Sequence, residues 1–569
     1  MKSATRLLVT ALAMCVGRNA AADPRTNGWF TTFSGQYARI YTNDAMQSAG
    51  SSLTAWSNGS QTQAAPAYCG VQDVYSSANW IYVRSTGLAS YTMGPWQHGN
   101  FPNLPVNQKN LFRFPRTVTV PVTNSSTGLG QIGIFVDGVE MFNSCDAFYW
   151  NGSSDVSGAG SGYWNRDAYV NEGATFDPGY AHQQNTGTYH YHANPIGLRY
   201  LLGDHVTYDA AAKTFSESTT APTQHSPLLG WVSDGCPIYG PYGYSNATNP
   251  ASGIRRMISG YVIRNGQYGT SNLTANGRTT IPAWAVRLGA PSANQAGPAV
   301  SSSYPLGRYM EDNDYLGDHG FVQGVDFDLD EFNGRWCVTP EFPTGIYAYF
   351  VAIASNGVPV YPYNIGRGYY GSPTGSAVSS IGETVVTNFA GGPSAAPVMQ
   401  TPHYGNGLVT LTWSAVEGGS YELDASTNLT NWSALRTNIA ATQIAASNYD
   451  SAPDLAAKYY RARRIALAAY DGDGSGPLAV APGGNAARSS SVTVSITLPS
   501  SPPWPPANAP ISSVTLAGTI TGSSISYATQ GTVVATFNIP ANAPTGSQNI
   551  VVTFGSPGPP PYTVTFTID

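Results

Sequence analysis

Two histidines one residue apart, framed by tyrosines in GTYHYHANP (Gly187–Pro195), are the residues of this chain best suited to chemistry. The 569 residues include only eight histidines, and five of them fall from His182 to His225, of which His182, His190, His192 and His225 are the candidate ligands. In an extended strand, residues two apart point to one face with Cα atoms about 7 Å apart. His190 and His192 are therefore predicted to project together, with Tyr189 and Tyr191 on the other face. Two imidazoles can converge on one ion at about 2.0–2.1 Å from each nitrogen. His182 lies just upstream in FDPGYAHQQNTGTYHYH, where a short glycine-containing loop can fold it back beside the strand. His225, in TQHSPLLGW, opens a later predicted strand and is the candidate fourth ligand. Three or four imidazoles suit zinc or copper, whereas magnesium and calcium prefer oxygen. The competing reading is four imidazoles hydrogen-bonded to backbone in an ordinary core. His98, His205, His319 and His403 stand apart and read as structural.

Carboxylates form a second constellation in MEDNDYLGDHGFVQGVDFDLDEFNGR (Met310–Arg335). Asp326, Asp328 and Asp330 alternate, so a strand would align all three on one face. Like charges so placed repel unless a cation or an arginine sits among them. A calcium or second-metal site and a solvated turn ladder are both open readings. An EF-hand is not, because Glu331 takes the glycine position and Cys337 the last ligand position. Candidate catalytic or ligand-supporting carboxylates are Asp234, Asp328, Asp330 and Glu331, of which Asp330 or Glu331 could act as general base on a metal-bound water. No G-x-S-x-G nucleophile elbow precedes a helix.

The elements that must position these groups are mostly strands. Val118, Val120 and Val122 alternate with polar residues or proline, as do Val492, Val494, Ile496 and Leu498, and Tyr562, Val564, Phe566 and Ile568. IPAWAVRLGA (Ile281–Ala290) is one short helix candidate. Three segments look alike: IFVDGVEMF (Ile134–Phe142), GWVSDGCPIYG (Gly230–Gly240) and AIASNGVPVYP (Ala352–Pro362). Each is a strand, an Asp-Gly or Asn-Gly pair, and a second strand, which predicts a hairpin with a type I′ turn. A further likeness pairs GTYHYH (Gly187–His192) with GIYAYF (Gly345–Phe350), where Ala348 and Phe350 replace the histidines. If the two are related units, the aromatic frame is scaffold and the histidines are a separate addition.

Apolar residues make up 42% of the chain and charged ones only 10%, against about 25% in ordinary soluble domains. Polarity comes instead from Ser, Thr, Asn, Gln, Gly and 36 tyrosines, the profile of a β-rich extracellular protein. Lys2 and Arg6, the apolar run Leu7–Val16 and AAA (Ala20–Ala22) read as a signal peptide over 1–22, cleaved near Ala22. A lipidated Cys15 is the rival reading. Removing 1–22 takes the net charge from −6 to −9, which argues against a nucleic-acid partner. No run is long and apolar enough for a membrane span. Cys69, Cys145, Cys236 and Cys337 remain, and an oxidising compartment predicts two disulfides among three possible pairings. DGDGSG (Asp471–Gly476) starts like a calcium loop but places Pro482 where glutamate belongs, so it reads as a linker.

The segments ARIYTNDA, APAYCGVQ, MGPW, FPNLPVNQ, AHQQNTGTYHYH, HSPLLGWVSDGCPIYGPYGY and DFDLDEFNGRWCVTPEFPTG carry a specific resemblance over about 36–370. They resemble the YHYH-domain family, named for that tetrapeptide. In many relatives Gly-Gly-His precedes the box at the spacing of His182, which implies that His182, His190 and His192 act as one unit. Here Tyr180 and Ala181 replace the two glycines. The resemblance implies a β-rich domain and leaves the activity open.

The expected organisation is a YHYH domain over 23–385, a linker over 386–396, a fibronectin type III-like sandwich over 397–466 and an immunoglobulin-like sandwich over 475–569. The expected function is a secreted or surface-associated protein that binds zinc or copper through His182, His190, His192 and His225. Its terminal modules would contact a surface or extracellular polymer. The alternatives are a metal-dependent enzyme acting on such a polymer, and an adhesion or matrix protein whose tyrosine-rich core is purely structural.

Overall fold

The computed structural model describes residues 23–472 except 59–60, 97–102, 159–163, 290–294 and 452–457. Beyond these it describes 485–486, 491–497, 511–529, 532–540, 542–544, 546–554 and 562–568. The leader-like stretch, Cys15, His98 and most of the Asp471–Gly476 segment lie outside the described residues. The protein is mostly β, as its composition predicts.

In chain order the strands that position the site begin with β1 (Val71–Ser76), β2 (Trp80–Ser85), β3 (Asn110–Pro115), β4 (Gln131–Phe135) and β5 (Glu140–Phe142). Next come β6 (His182–Gln183), β7 (Tyr189–Tyr191), β8 (Leu228–Val232) and β9 (Pro237–Tyr239). The last are β10 (Gly334–Cys337), β11 (Ile346–Phe350), β12 (Ser376–Ala377) and β13 (Val386–Ala390). One sheet has the order β12-β3-β2-β1-β13 and is antiparallel throughout. The other has eight strands in the order β6-β7-β5-β4-β8-β9-β11-β10. Val74, Val83 and Phe112 of the first share one core with Ile134, Phe135, Trp231 and Ile238 of the second. Burying side chains of this size contributes about 1.5–3 kcal/mol each.

The eight-stranded sheet is a doubled unit. Outward from its centre, each half is a hairpin (β4-β5 or β8-β9), a strand parallel to the hairpin's second arm (β7 or β11), and an antiparallel edge strand (β6 or β10). The register repeats: Tyr191 faces Met141, and Tyr349 faces Ile238. At the centre Ile134 faces Trp231, each preceded by a glycine. A Cβ on Gly133 would lie 2.7 Å from the Trp231 carbonyl oxygen, and one on Gly230 2.6 Å from that of Ile134. Only glycine lets the two backbones approach this closely.

The three look-alike hairpins share one turn, but it is not type I′. Phe135 N–H donates to Val139 O, Val232 N–H to Cys236 O, and Ala354 N–H to Val358 O. Gly138, Gly235 and Gly357 lie at φ 82–85°, while Asp137, Asp234 and Asn356 are not in the left-handed region. This is a three-residue loop ending in a left-handed glycine. The Asp or Asn side chain accepts the N–H two residues on, which holds its own backbone out of the positive-φ region a type I′ turn demands.

Other expectations are also corrected. The helix candidate is one turn, Ala283–Arg287, with Trp284 buried. Asp326–Asp330 is a series of turns and bends, not a strand. All four described cysteines are free and buried, in place of two disulfides. Cys69, Cys236 and Cys337 lie in the main core and Cys145 in a second cluster, and the Cys69 thiol donates to Phe33 O at 3.0 Å.

Residues 403–467 form two three-stranded sheets whose Leu411, Trp413, Tyr421 and Leu423 share a small core. Glu417 anchors this sandwich to the preceding region, pairing with Arg39 at 2.6 Å and accepting from Tyr37 N at 3.0 Å. The chain divides into compact units at Asp473. Gly474–Asp569 contains a five-stranded and a three-stranded sheet, with Ile496, Val514, Leu516, Val533, Phe537, Ile550 and Val552 in its core. Among the described residues no helix is long and apolar enough to cross a membrane.

Candidate metal centre

The β6-β7 hairpin turns on Gly187, at φ 77°, and sets His182 opposite His190. His190 and His192 project to the same side, and Tyr189 and Tyr191 to the other, where both hydroxyls meet that of Tyr91 at 2.8 Å. One nitrogen from each of His182, His190 and His192 lies within 4.8 Å of the others, and all three residues are buried. Phe142 stacks on His190 at 3.8 Å between ring centroids, and Phe176 meets His182 edge-on at 4.7 Å. These two rings wall the cluster with apolar surface.

The hydrogen bonds fix the tautomers. His190 Nδ1 lies 2.9 Å from Thr188 O, and His192 Nδ1 lies 2.6 Å from Asn143 O. A carbonyl oxygen only accepts, so both Nδ1 atoms carry the proton and both Nε2 atoms keep a lone pair. Thr175 Oγ1 donates to Glu172 O at 2.6 Å and sits 2.8 Å from His182 Nδ1, which must then donate to it. His190 Nε2 and His192 Nε2 face each other at 3.0 Å. Burial holds His192 down to about 4. It also holds His182 and His190 well below the ordinary histidine range, helped by the neighbouring imidazoles. At neutral pH, then, two lone pairs point at one another inside an apolar wall. Two nitrogens on one tetrahedral ion, each about 2.0–2.1 Å from it, stand about 3.3 Å apart. The pair is thus spaced for a shared cation, and the three Nδ1–H donors supply the outer hydrogen bonds that orient metal-binding imidazoles.

Glu172, which the sequence reading missed, completes the group. It ends helix α1 (Ala168–Glu172), which is capped by the Asp167 carboxylate accepting from Val170 N. Its Oε2 lies 3.4 Å from His192 Nε2 and 3.7 Å from His182 Nε2, and its side chain is 22% exposed. Burial, then the nearby Asp146 carboxylate, push Glu172 up to about 8. With the imidazoles neutral and Glu172 protonated, these contacts are not ion pairs. No spacing rule ties a helix-terminal glutamate to a hairpin ten residues later, so nothing local in the sequence marks it.

The other candidates go elsewhere. His225 belongs to the second half of the sheet: its ring packs against Tyr239, Tyr244 and Phe350, and its Nδ1 donates to Ser226 O at 2.7 Å. It is not a member of the histidine group. Asp234 accepts from Tyr349 Oη at 2.6 Å and from the amides of Cys236 and Gly371. Asp328 receives both terminal nitrogens of Arg255, at 2.5 and 2.6 Å, with Arg335 3.8 Å away. Asp330 accepts from Tyr347 Oη and from the amides of Phe332 and Gly334. Glu331 pairs with Arg287 at 2.7 Å. These four carboxylates are engaged by arginines, tyrosines and backbone, and no calcium-binding group forms among them in the described residues. Within the run, Arg255 and Arg335 meet Asp328, while Asp326 accepts from Val322 N and Asp330 from a tyrosine and two amides.

Residues 111–361 match the protein family described as YHYH protein. No curated protein matches the chain.

Proposed function

On the premise that residues 111–361 form a YHYH domain, we propose that this domain is a transition-metal centre for zinc or copper. His182, His190 and His192 are its ligands, and Glu172 closes its mouth. The observation that carries the reading is the 3.0 Å approach of two Nε2 atoms whose tautomers leave only lone pairs between them. A bound cation would turn that repulsion into two bonds. Three neutral imidazoles suit zinc and copper, and the apolar walls of Phe142 and Phe176 keep water from competing for the nitrogens.

Glu172 favours an enzymatic variant of the same reading. A bound metal would supply Lewis acidity and an acidified water. The part-exposed Glu172 carboxyl, beside two of the ligand nitrogens, is placed to take or give the proton. We place the protein outside the cytoplasm on the leader-like Lys2–Ala22 stretch. Its two terminal sandwiches, which we read as fibronectin type III-like and immunoglobulin-like, are the parts suited to holding a surface or polymer.

The test is metal analysis of the full chain, purified without chelators or a histidine tag, beside a variant carrying His190→Ala and His192→Ala. The reading predicts about one equivalent of zinc or copper in the wild type and none in the variant. It fails if the folded wild type takes up neither ion on reconstitution.

A further inference from the structure

We propose that the tyrosine side of the YHYH strand carries a second site, a cleft that binds one ring of a neutral carbohydrate. The cleft has a volume of about 180 Å³ and is lined chiefly by Tyr41, Tyr91, Tyr200, Tyr208 and Phe215, with Gln47 at its rim. Tyr208 and Phe215 face each other across the hairpin of strands Val206–Asp209 and Thr214–Glu217, with ring centroids 4.8 Å apart. Tyr200, from the helix Ile196–Leu201, meets them at 5.5 and 5.4 Å, and Tyr91 meets Phe215 at 6.0 Å. Four rings thus form a continuous aromatic wall, each tilted 38–66° to its neighbour, so that faces and edges both line the cleft. Tyr200 is 40% exposed.

Size and chemistry narrow the occupant. Drug-sized ligands fill about 300–1,000 Å³, so this cleft fits a single ring. Its lining includes no Asp, Glu or Arg, only one lysine, Lys213, which suits a ligand without a strong charge. Its polar groups are the hydroxyls of Tyr41, Tyr200, Tyr208 and Thr92 and the amide of Gln47. Each of these both donates and accepts hydrogen bonds. A sugar ring offers the complement: C–H groups on both faces for the tilted aromatic rings, and hydroxyls that also donate and accept. A proline-rich peptide, the other common guest of tyrosine-lined grooves, offers only carbonyl acceptors and would leave the donors of the rim better matched than its acceptors. The inference rests on observations separate from the histidines. Tyr91 nevertheless joins the two sites, since its hydroxyl holds those of Tyr189 and Tyr191.

The full chain would be screened against an array of neutral oligosaccharides, and the strongest ligand titrated by calorimetry. A proline decapeptide would be titrated alongside. Tyr200→Ala and Tyr208→Ala should each weaken sugar binding at least tenfold, and Tyr200→Phe, which keeps the ring, should lose less than threefold. Tyr268→Ala, which removes a 54% exposed tyrosine elsewhere, should bind as wild type. Near-ultraviolet circular dichroism would establish that each variant is folded. The proposal is overturned if no neutral sugar binds, if the cleft variants bind as wild type, or if the decapeptide binds in the cleft and sugars do not.

Discussion

His182, His190 and His192 of one half-sheet stand where the other half carries Arg335, Ala348 and Phe350. What surrounds these positions is shared. The Asp177 loop closes with Asp177 N–H to Ala181 O, and the Asp330 loop with Asp330 N–H to Gly334 O. Asp177 accepts from Tyr189 Oη at 2.6 Å, and Asp330 from Tyr347 Oη at 2.8 Å. Tyr180 and Asn333 occupy the same left-handed position, at φ 71° and 67°. The carboxylate, the tyrosines and the hairpin are therefore what the fold requires, because both halves keep them. The histidines are not, since the second half closes with an arginine over a phenylalanine, Arg335 Cζ lying 5.3 Å from the Phe350 ring. Three buried imidazoles that the architecture can do without call for a reason outside folding.

The sharpest way to break this comparison is to make the halves alike. A variant with His190→Ala and His192→Phe copies the second half and should fold yet hold no metal. Chelation should then cost the wild type stability, on the order of 2–3 kcal/mol if the ion is held about a hundredfold above its Kd, and cost this variant nothing. Calorimetric unfolding with and without chelator reads both. Equal behaviour of the two proteins would remove the distinction between the halves.

A second test titrates the shared loop where no histidine intervenes. Burial pushes Asp330 up to about 7, against 3.8 for the ordinary residue. The folded state then keeps a proton that the unfolded chain has lost. This contribution is fully present below about pH 4 and declines as pH rises to about 7, by on the order of 1 kcal/mol per pH unit at most. Asp330→Asn removes it, so the stability of this variant relative to wild type should climb between pH 4 and 7 in denaturant titrations. A flat difference would mean that the tyrosine and amide donors keep the carboxylate ionised.

The smallest effects lie at the left-handed position. Asn333 donates from Nδ2 to Phe350 O and Asn364 O, so Asn333→Gly should cost about 1–3 kcal/mol by leaving buried carbonyls unmatched. Tyr180→Gly should cost less, on the order of 1 kcal/mol or under, because the strain that glycine relieves at that φ offsets part of the loss of the half-buried ring. Equal losses at both sites, measured by thermal melting, would show that the Asn333 hydrogen bonds add nothing beyond the shared backbone.

Sequence periodicity captured what is local. The His-x-His pair, the loop that returns His182 and the repeated Asp-Gly hairpins all depend on neighbours within about ten residues. The likeness of GTYHYH to GIYAYF falls on equivalent strands of the doubled sheet, and it also held a clue about His225. That residue precedes β8, the opening strand of the second half, and so belongs there. Alternation misled at Asp326, Asp328 and Asp330, because a period of two also arises in consecutive turns whose carboxylates cap their own amides. The cysteines misled because pairing depends on distances between strands, which an even count does not encode. Glu172 was silent, because a helix cap at Asp167 places it and no motif spans the gap.

The glycine-lined seam where Gly133 and Gly230 let β4 and β8 meet has one further consequence. A chain cut after the first half would carry that seam as a raw edge, already shaped to accept its own mirror partner. Two such fragments would rebuild the whole sheet as an isologous homodimer, with a histidine trio at each far end in place of one.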